Sequence, residues 1–341
     1  MKVYVVNGDI GINLSNIVRA SKVFKELLNN VGVEEFTDPR YYPSAGVEPE
    51  LVLRYFLFMV SIDHRTSYYT AFEGAIRGAF FHGADLLYRL GMLKFSEDPE
   101  FFSPNRMARI GVEEVRSWLS VSRTDGSTVT IWDPEVRALL LRNIALKLIK
   151  LYKGSVTTLI NISGGYLKKP IGYGLIDLLK AFKAYSDPVE KKAYLFVKFI
   201  SRRGLFRYVD REHSEVPVDN HLTRVALRLG LVELPSTLRA KLIRSEEFSW
   251  VEDVALRLAV RRAFKVVATL MGTDPLILDD LLWLFGRHCC TREDLVCRSG
   301  CKGRCRELNL CSNGCPLESV CPQATNSTLL TEHKYTNTFY Y

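Results

Sequence analysis

The sequence predicts an all-α protein that ends in a cysteine-rich, metal-binding loop. Apolar residues recur at helical spacing along most of the 341 residues, while strand-like alternation is weak and confined to short stretches. All eight cysteines lie between Cys289 and Cys321, which is unlike a disulfide framework spread through a chain. We therefore expect about a dozen helices, followed by a loop that wraps one or two metal centres.

The composition is that of a globular protein with room for two subdomains. Hydrophobic residues make up 47% of the chain and charged residues 25%, which is ordinary for a folded protein outside membranes. The longest apolar run, residues 55–62, is too short to span a bilayer, and the N-terminus lacks the apolar core of a signal peptide. We expect a cytoplasmic monomer with no membrane partner, in a compartment where thiols stay reduced.

The net charge of +8 favours a polyanionic partner or substrate. A basic surface without a specific partner would give the same net charge and stays an alternative. Gln323 is the only glutamine, and scarcity of thermolabile amides suggests a hot habitat.

Each predicted element rests on its own spacing and end signals. Residues 2–6 and 127–131 alternate weakly and predict small hairpins. A helix over residues 136–152 begins behind Asp133-Pro134, and a helix over residues 113–119 follows Ser103-Pro104. Helical spacing also predicts helices over residues 175–182, 191–200, 222–229, 254–271 and 276–285.

These elements suggest three folded parts and a tail. Residues 1–120 form an N-terminal helical subdomain, and residues 121–234 form the middle, catalytic subdomain. Residues 235–323 contain the last helices and the cysteine loop. Residues 324–341 lack periodicity and are predicted to be a flexible tail.

The cysteine loop begins behind Gly286-Arg287 and carries cysteines at short spacings. In order they are Cys289, Cys290, Cys297, Cys301, Cys305, Cys311, Cys315 and Cys321. Thiolates on short loops suit zinc or an iron–sulfur cluster, and the Cys-x2-Cys knuckles typical of structural zinc are missing. An iron–sulfur centre is favoured, with zinc, disulfides or mixed use left open.

Asp219 stands where a helix opens, in the stretch Val-Pro-Val-Asp-Asn-His that ends at His221. An aspartate is an effective N-cap, which by itself accounts for the residue. A carboxylate held ionised at a helix N-terminus can also stabilise an oxocarbenium-like sugar or activate a water. Asp219 is therefore a candidate catalytic residue.

Lys191 opens the preceding predicted helix, in Glu190-Lys191-Lys192-Ala193. A lysine amine whose pKa is lowered by desolvation can attack the C1 carbon of a sugar. A lysine here can equally bind a phosphate, or be a solvated surface residue. Lys191 is a second candidate for catalysis.

The Lys-x-Ala helix start, the Val-Asp-x-His helix and the Gly-Arg-x-x-Cys loop together resemble the helix-hairpin-helix DNA glycosylases of the endonuclease III type. The resemblance implies a two-subdomain helical fold, a 4Fe–4S cluster and DNA as partner. It implies that Asp219 is the catalytic aspartate and Lys191 the lysine of the members that also have lyase activity. The implied cluster ligands are Cys290, Cys311, Cys315 and Cys321.

One cysteine spacing leaves the second ligand open, and the hairpin departs from that family. Cys290-x6-Cys297 reproduces the first ligand spacing of the family, so Cys297 competes with Cys311 for the second position. The family hairpin carries glycines whose amides reach a DNA phosphate, whereas residues 185–188 contain none. That phosphate contact is therefore in question.

The N-terminal half is similar in layout to the queuosine-salvage glycosidases, which hydrolyse a modified nucleoside 5′-monophosphate. Polar side chains on otherwise apolar segments suit a pocket that reads a base edge and a sugar. Capped or paired core groups are the alternative. The candidate substrate-binding residues are Asp63, His64, His82, Asp85 and His221.

We expect an N-glycosylase that removes a damaged or modified base from DNA, with or without lyase activity. One alternative is a hydrolase of a free modified nucleoside 5′-monophosphate. Another is a non-catalytic iron–sulfur protein that binds nucleic acid.

Overall fold

Helices dominate the computed structural model, which describes residues 2–3, 9–32, 34–66, 71–123, 125–293, 295–326 and 328–341. In this part of the chain the α-helices are α1 Leu14–Asn30, α2 Pro49–Ser61, α3 Ala84–Glu97, α4 Pro104–Met107, α5 Val112–Trp118, α6 Pro134–Tyr152, α7 Val156–Ser163, α8 Leu175–Leu179, α9 Lys191–Arg202, α10 Asn220–Arg228, α11 Ser236–Ile243, α12 Trp250–Met271, α13 Pro275–His288, α14 Val296–Ser299 and α15 Gly303–Glu307. Short 3-10 turns span Pro99–Phe102, Lys183–Tyr185, Arg211–His213 and Glu318–Val320. The all-α prediction is confirmed.

The strands are few and short. They are β1 Lys2–Val3, β2 Ile10–Ile12, β3 Glu73–Ile76, β4 Ala79–His82, β5 Ser120–Ser122, β6 Thr128–Thr130 and β7 Val232–Glu233. The predicted hairpin near residues 127–131 is β6 paired with β5, whereas the β3–β4 hairpin was not predicted. Residues 4–6 of the other predicted hairpin lie outside the described part of the chain.

None of the helices among the described residues has the length and apolar character needed to cross a bilayer. The chain divides into two compact units, which are described separately below. The first unit contains residues 1–34 and 214–338, and the second contains residues 35–213 and 339–341.

In the first unit α1 packs on α12, and α10 packs on α13. Strand β2 lies between β1 and β7, with Gly11 opposite Glu233. Helices α10 and α13 approach closely at Gly286, because a Cβ atom there would lie 3.0 Å from the Cβ of His221. The glycine of the Gly-Arg pair therefore serves helix packing.

In the second unit α2 is the central helix. Its apolar run from Tyr55 to Val60 is completely buried, and Ile62 just beyond it is buried as well. Helix α9 packs on α2, and α6 packs on α4 and α5. The apolar run that was too short for a membrane span thus forms the core of this unit.

The predicted flexible tail is wrong for residues 330–338, which pack on the first unit. Buried His333 Nε2 lies 2.7 Å from an oxygen of buried Asp253. Buried Glu332 accepts a hydrogen bond from Arg224 at 2.8 Å. Periodicity did not reveal this segment, because contacts of individual residues, rather than a repeating apolar face, hold it in place.

Replacement of Asp253 by asparagine is expected to destabilise the first unit by about 3 kcal/mol, because it removes the buried negative charge that contacts the Arg257 guanidinium and His333. Burial acts to raise the pKa of Asp253, but His333 and Arg257 overcome it and lower the pKa to about 2. This folded value is below the unfolded one, so the stabilisation is present above about pH 4. It is lost as the pH falls towards 2.

Urea unfolding at pH 7 and at pH 2.5 measures this effect. Glu246→Gln, in the exposed pair with Arg244 of the same unit, is the matched control and should change stability little. Equal effects of Asp253→Asn at the two pH values would contradict the assignment.

Candidate functional site

A turn in the second unit places two lysines at the start of α9. Between the 3-10 turn Lys183–Tyr185 and α9, the buried carboxylate of Asp187 accepts hydrogen bonds from the N–H groups of Val189 and Lys191, both at 3.1 Å. Glu190 adopts a φ of 63°, a conformation that glycine usually supplies. The turn therefore forms without glycine, and the Asp187 carboxylate accepts hydrogen bonds from two of its backbone N–H groups.

Lys192 has a fully buried amine within the second unit. Its Nζ donates to the carbonyl oxygens of Ser61 at 2.5 Å and Phe339 at 2.7 Å, and lies 3.1 Å from Nδ1 of His64. Burial, reinforced by the charge of Lys191, lowers the pKa of Lys192 well below its usual value. This amine therefore loses its proton far more readily than a solvated lysine does.

Lys191, the residue favoured by the sequence, has a different environment. Its Nζ lies 3.7 Å from Oδ2 of Asp63 in an ion pair. Tyr88 Oη lies 3.5 Å from the same carboxylate oxygen. No carboxylate in the described part of the chain forms such a pair with Lys192, which was not among the residues predicted from the sequence.

His64 lies deep in the second unit and is 1% exposed. Its Nε2 is 3.5 Å from Oδ1 of Asp133, and its carbonyl accepts a hydrogen bond from Arg137 at 2.6 Å. Burial and the Arg137 charge lower the pKa of His64 well below its usual value, and burial raises the pKa of Asp133 to about 6. His64 is therefore a neutral core imidazole beside Lys192.

The other predicted substrate-binding residues of this unit lie apart from Lys192. His82 is exposed on β4, 3.9 Å from Glu73, and Asp85 is half-buried in the first turn of α3. Neither is among the described contacts of the Lys192 amine. Of the predicted set, the structure brings Asp63 and His64 to the two lysines.

Asp219 is the N-cap of α10 in the first unit, as the sequence predicts. Its Oδ1 accepts a hydrogen bond from the N–H of Leu222 at 3.0 Å, and the residue is half-buried. Its other oxygen, Oδ2, has no hydrogen-bond partner among the described residues. Burial lowers the pKa of His221, whose Nδ1 lies 2.9 Å from the Arg224 guanidinium. Asp219 can thus act both as a cap and as an acceptor for a ligand.

The cysteines divide into two sets of four. Disulfides join Cys289 to Cys305 and Cys301 to Cys311. The free thiols are Cys290, Cys297, Cys315 and Cys321. Cys311 was a predicted ligand, and its disulfide corrects that assignment in favour of Cys297, whose x6 spacing from Cys290 was the available signal.

The four free thiols lie close enough to act on one another electrostatically. Burial raises the pKa of Cys315 to about 12 and that of Cys321 to about 11, and neighbouring thiols of the set add to both shifts. No group of three or more ligand-type side chains in the described ranges has the geometry of a metal site as it stands. Four thiols nonetheless fit the donor set of a 4Fe–4S cluster or of zinc.

Arg228, the last residue of α10, ties that helix to the cysteine loop. Its guanidinium donates to Sγ of Cys290 at 3.3 Å, and the thiol of Cys321 donates to the Arg228 carbonyl at 3.3 Å. Arg224, one turn earlier, donates to the carbonyl of Cys290 at 2.9 Å. The helix that begins at Asp219 therefore ends against two candidate ligands.

Serine in place of Cys297 is expected to abolish metal loading, whereas serine in place of Cys311 should preserve it. Of these two residues, Cys297 is a free thiol and Cys311 is joined to Cys301 in a disulfide. The measurement is absorbance near 400 nm, which distinguishes an iron–sulfur protein from a zinc protein, together with metal analysis of both variants. Loss of metal from Cys311→Ser with retention in Cys297→Ser would reverse the ligand assignment.

Solved structures with a similar fold are known. The chain is similar to a trapped endonuclease III–DNA covalent intermediate in an estranged-adenine complex, with a TM-score of 0.50 and 15% identity over 92% of this chain and 98% of that chain. The chain has the fold of the helix-hairpin-helix DNA glycosylases. At this identity the likeness establishes the fold alone.

Two further helix-hairpin-helix structures are more distant in shape. A non-covalent endonuclease III–DNA complex has a TM-score of 0.47 and 14% identity, over 92% of this chain and 97% of that chain. An 8-oxoguanine DNA glycosylase from Pyrobaculum aerophilum, complexed with 8-oxoguanosine, has a TM-score of 0.41 and 18% identity, over 89% of this chain and 99% of that chain. No family model matches the chain, and no curated protein matches its sequence.

Proposed function

We propose that this protein is an N-glycosylase that releases a modified base from DNA, with Lys192 as the amine nucleophile and Asp219 as the supporting carboxylate. The observation that carries the proposal is the desolvated Lys192 amine at the start of α9, in a chain with a helix-hairpin-helix glycosylase fold. The net charge of +8 supports a polyanionic substrate.

The chemistry follows from a neutral amine. The lone pair of Lys192 Nζ attacks the sugar C1′, a carbon–nitrogen bond forms, and the bond from C1′ to the base breaks with its electron pair leaving on the base. The nitrogen now carries two protons and loses one of them. The bond from C1′ to the ring oxygen then breaks with its electron pair leaving on oxygen, which takes up a proton, and a protonated imine joins Lys192 to the sugar. This imine is the species that borohydride reduces, and it also permits cleavage of the DNA backbone.

Asp219 has the complementary task. Its Oδ1 is fixed by the N–H of Leu222, so the carboxylate is oriented by the helix, while Oδ2 remains open to a ligand. A carboxylate beside C1′ stabilises positive charge as the base departs. The same group can accept a proton from an attacking nucleophile.

The metal centre would be held by Cys290, Cys297, Cys315 and Cys321. A bound cluster supplies a cross-link between thiolates, which would fix the loop that contacts Arg228. Because Arg228 ends the helix that Asp219 begins, the loop supports the position of the carboxylate. No step of the base release depends on the metal in this proposal.

Two substrate panels test the proposal. One contains duplexes that each carry one damaged or modified base, and the other contains free modified nucleoside 5′-monophosphates. We expect a free base to be released from at least one duplex. Cleavage of nucleotides alone would establish the second candidate function below, and duplex binding with a steep salt dependence but no cleavage would indicate a binding protein.

One observation favours the second candidate, hydrolysis of a free modified nucleotide. Asp187 already accepts from the amides of Val189 and Lys191 in the turn before α9. Those amides are therefore engaged inside the protein, and a buried carboxylate beside them repels a phosphate. This turn is therefore poorly suited to bind a DNA backbone phosphate. A free nucleotide does not need that contact.

Removal of residues 339–341 is expected to speed imine formation several-fold. The Phe339 carbonyl occupies one donor of Lys192, and Tyr340 Oη lies 3.3 Å from Ser186 Oγ, so the segment covers the amine. A sugar carbon that bonds Nζ has to replace that carbonyl. The rate of borohydride trapping on a duplex with an abasic site measures the effect, and slower trapping would show instead that the segment helps to build the site.

A further inference from the structure

Lys192 and His64 share a hydrogen bond that the proposed chemistry does not yet use. The distance from Lys192 Nζ to His64 Nδ1 is 3.1 Å, and both residues are at most 1% exposed. An ammonium group has only donors, so the hydrogen-bond pattern makes His64 Nδ1 the acceptor. The proton of the neutral imidazole then lies on Nε2.

That Nε2 faces a carboxylate. Asp133 Oδ1 is 3.5 Å away, and each of these two buried atoms lacks a hydrogen bond of ordinary length among the described residues. A shift of a few tenths of an ångström would bring His64 Nε2 within hydrogen-bond distance of this oxygen. Lys192, His64 and Asp133 therefore form a line from amine to imidazole to carboxylate.

The backbone around this line is held by one buried arginine. Arg137 donates to the carbonyls of Ile62 and His64 and, from Nε, to that of Trp132 at 2.9 Å. Its Nε also lies 3.4 Å from Oδ1 of Asp133. The imidazole and the carboxylate are thus fixed by the same guanidinium, which leaves their facing atoms little freedom to separate.

We propose that His64 is the base that removes a proton from Lys192, and that Asp133 is a positioning residue that fixes the tautomer of His64 and stabilises its charged form. This inference rests on the proposed function, because it assigns a destination to the proton of the nucleophile. One Nζ–H bond breaks with its electron pair remaining on nitrogen, and Nδ1 of His64 gains the proton. The amine then attacks C1′, and the imidazolium donates its Nε2–H to Asp133.

Water cannot easily take this proton, since Lys192 is 0% exposed. Burial lowers the pKa of Lys192 and that of His64, because the charged form of each is poorly solvated there. Other charged side chains also act on Lys192 and His64. Asp63 and Arg65 follow α2, Asp133 and Arg137 lie at the start of α6, and Lys191 is on α9.

The test is the pH profile of borohydride trapping on a duplex with an abasic site. In the wild-type protein we expect a rate that is nearly constant at neutral pH and falls below about pH 6, as Asp133 becomes protonated. His64→Gln keeps a hydrogen-bond acceptor but no base. Its rate at pH 7 should fall by about tenfold or more and recover steadily as the pH rises to 10.

Asp133→Asn should shift the profile in the same direction with a smaller loss. His213→Gln is the matched control, because His213 pairs with Asp210 at 3.1 Å in the same unit and is half-exposed. Thermal unfolding identifies any variant that fails to fold, and Asp133→Asn carries the test if His64→Gln does not fold. Folded variants of both residues with the wild-type profile would overturn the inference, whereas a wild-type protein that traps no duplex at any pH would overturn the proposed function instead.

Discussion

Replacement of Lys192 by methionine is expected to abolish covalent trapping on an abasic duplex, a loss of at least about a thousandfold. The amine of Lys192 is desolvated, and its lowered pKa makes it the nucleophile of this site. Methionine has a similar length and is apolar, so it fills the space with little steric cost. Borohydride reduction followed by gel separation of protein–DNA adducts measures the result.

The matched control is Lys191→Met, at the neighbouring position of the same helix. Lys191 is ion-paired with Asp63, and its charge only reinforces the effect of burial on the pKa of Lys192, so its loss should reduce trapping far less than the loss of Lys192. Thermal unfolding of both variants separates loss of chemistry from loss of fold. The reverse result, in which Lys191→Met loses trapping and Lys192→Met retains it, would return the role to Lys191.

Asp219→Asn is expected to slow base release by about a hundredfold or more, with the fold unchanged. Asparagine caps a helix about as well as aspartate, so the hydrogen bond to Leu222 survives and only the negative charge is lost. Single-turnover release of the free base from a damaged duplex isolates this step from product release.

The control for Asp219→Asn is the same change at another N-cap of the first unit. Asp274 caps α13 and accepts from the N–H of Leu276 at 2.9 Å. Asp274→Asn should leave base release unchanged. Undiminished release by Asp219→Asn would remove the carboxylate from the proposed mechanism.

The sequence predicted those parts of the molecule that local physics determines. The position of α10 follows from an aspartate before a run with apolar residues at helical spacing, and Asp219 is indeed its cap. Helix α6 begins at Pro134 as predicted, although Asp133 makes no side-chain cap hydrogen bond there, so the first-turn proline is the part of the signal that holds. Each of these signals acts within one or two helical turns, so a single chain suffices to detect it.

Other features depend on contacts between distant residues. Successive helix positions point about 100° apart, so whether Lys191 or Lys192 faces the core depends on how α9 packs on α2. The disulfide of Cys311 removes it from the ligand set, and spacing alone left Cys297 and Cys311 in competition. The contact of His333 with Asp253 likewise joins residues 80 positions apart.

Mass spectrometry of the trapped adduct identifies the lysine that attacks the sugar. The wild-type protein is reduced with borohydride in the presence of a duplex that carries a damaged base, digested, and mapped for the peptide that bears the sugar remnant. We expect a single modified peptide with the adduct on Lys192 Nζ, together with the free base in solution. Release of no base, or an adduct on another lysine of the chain, would contradict it.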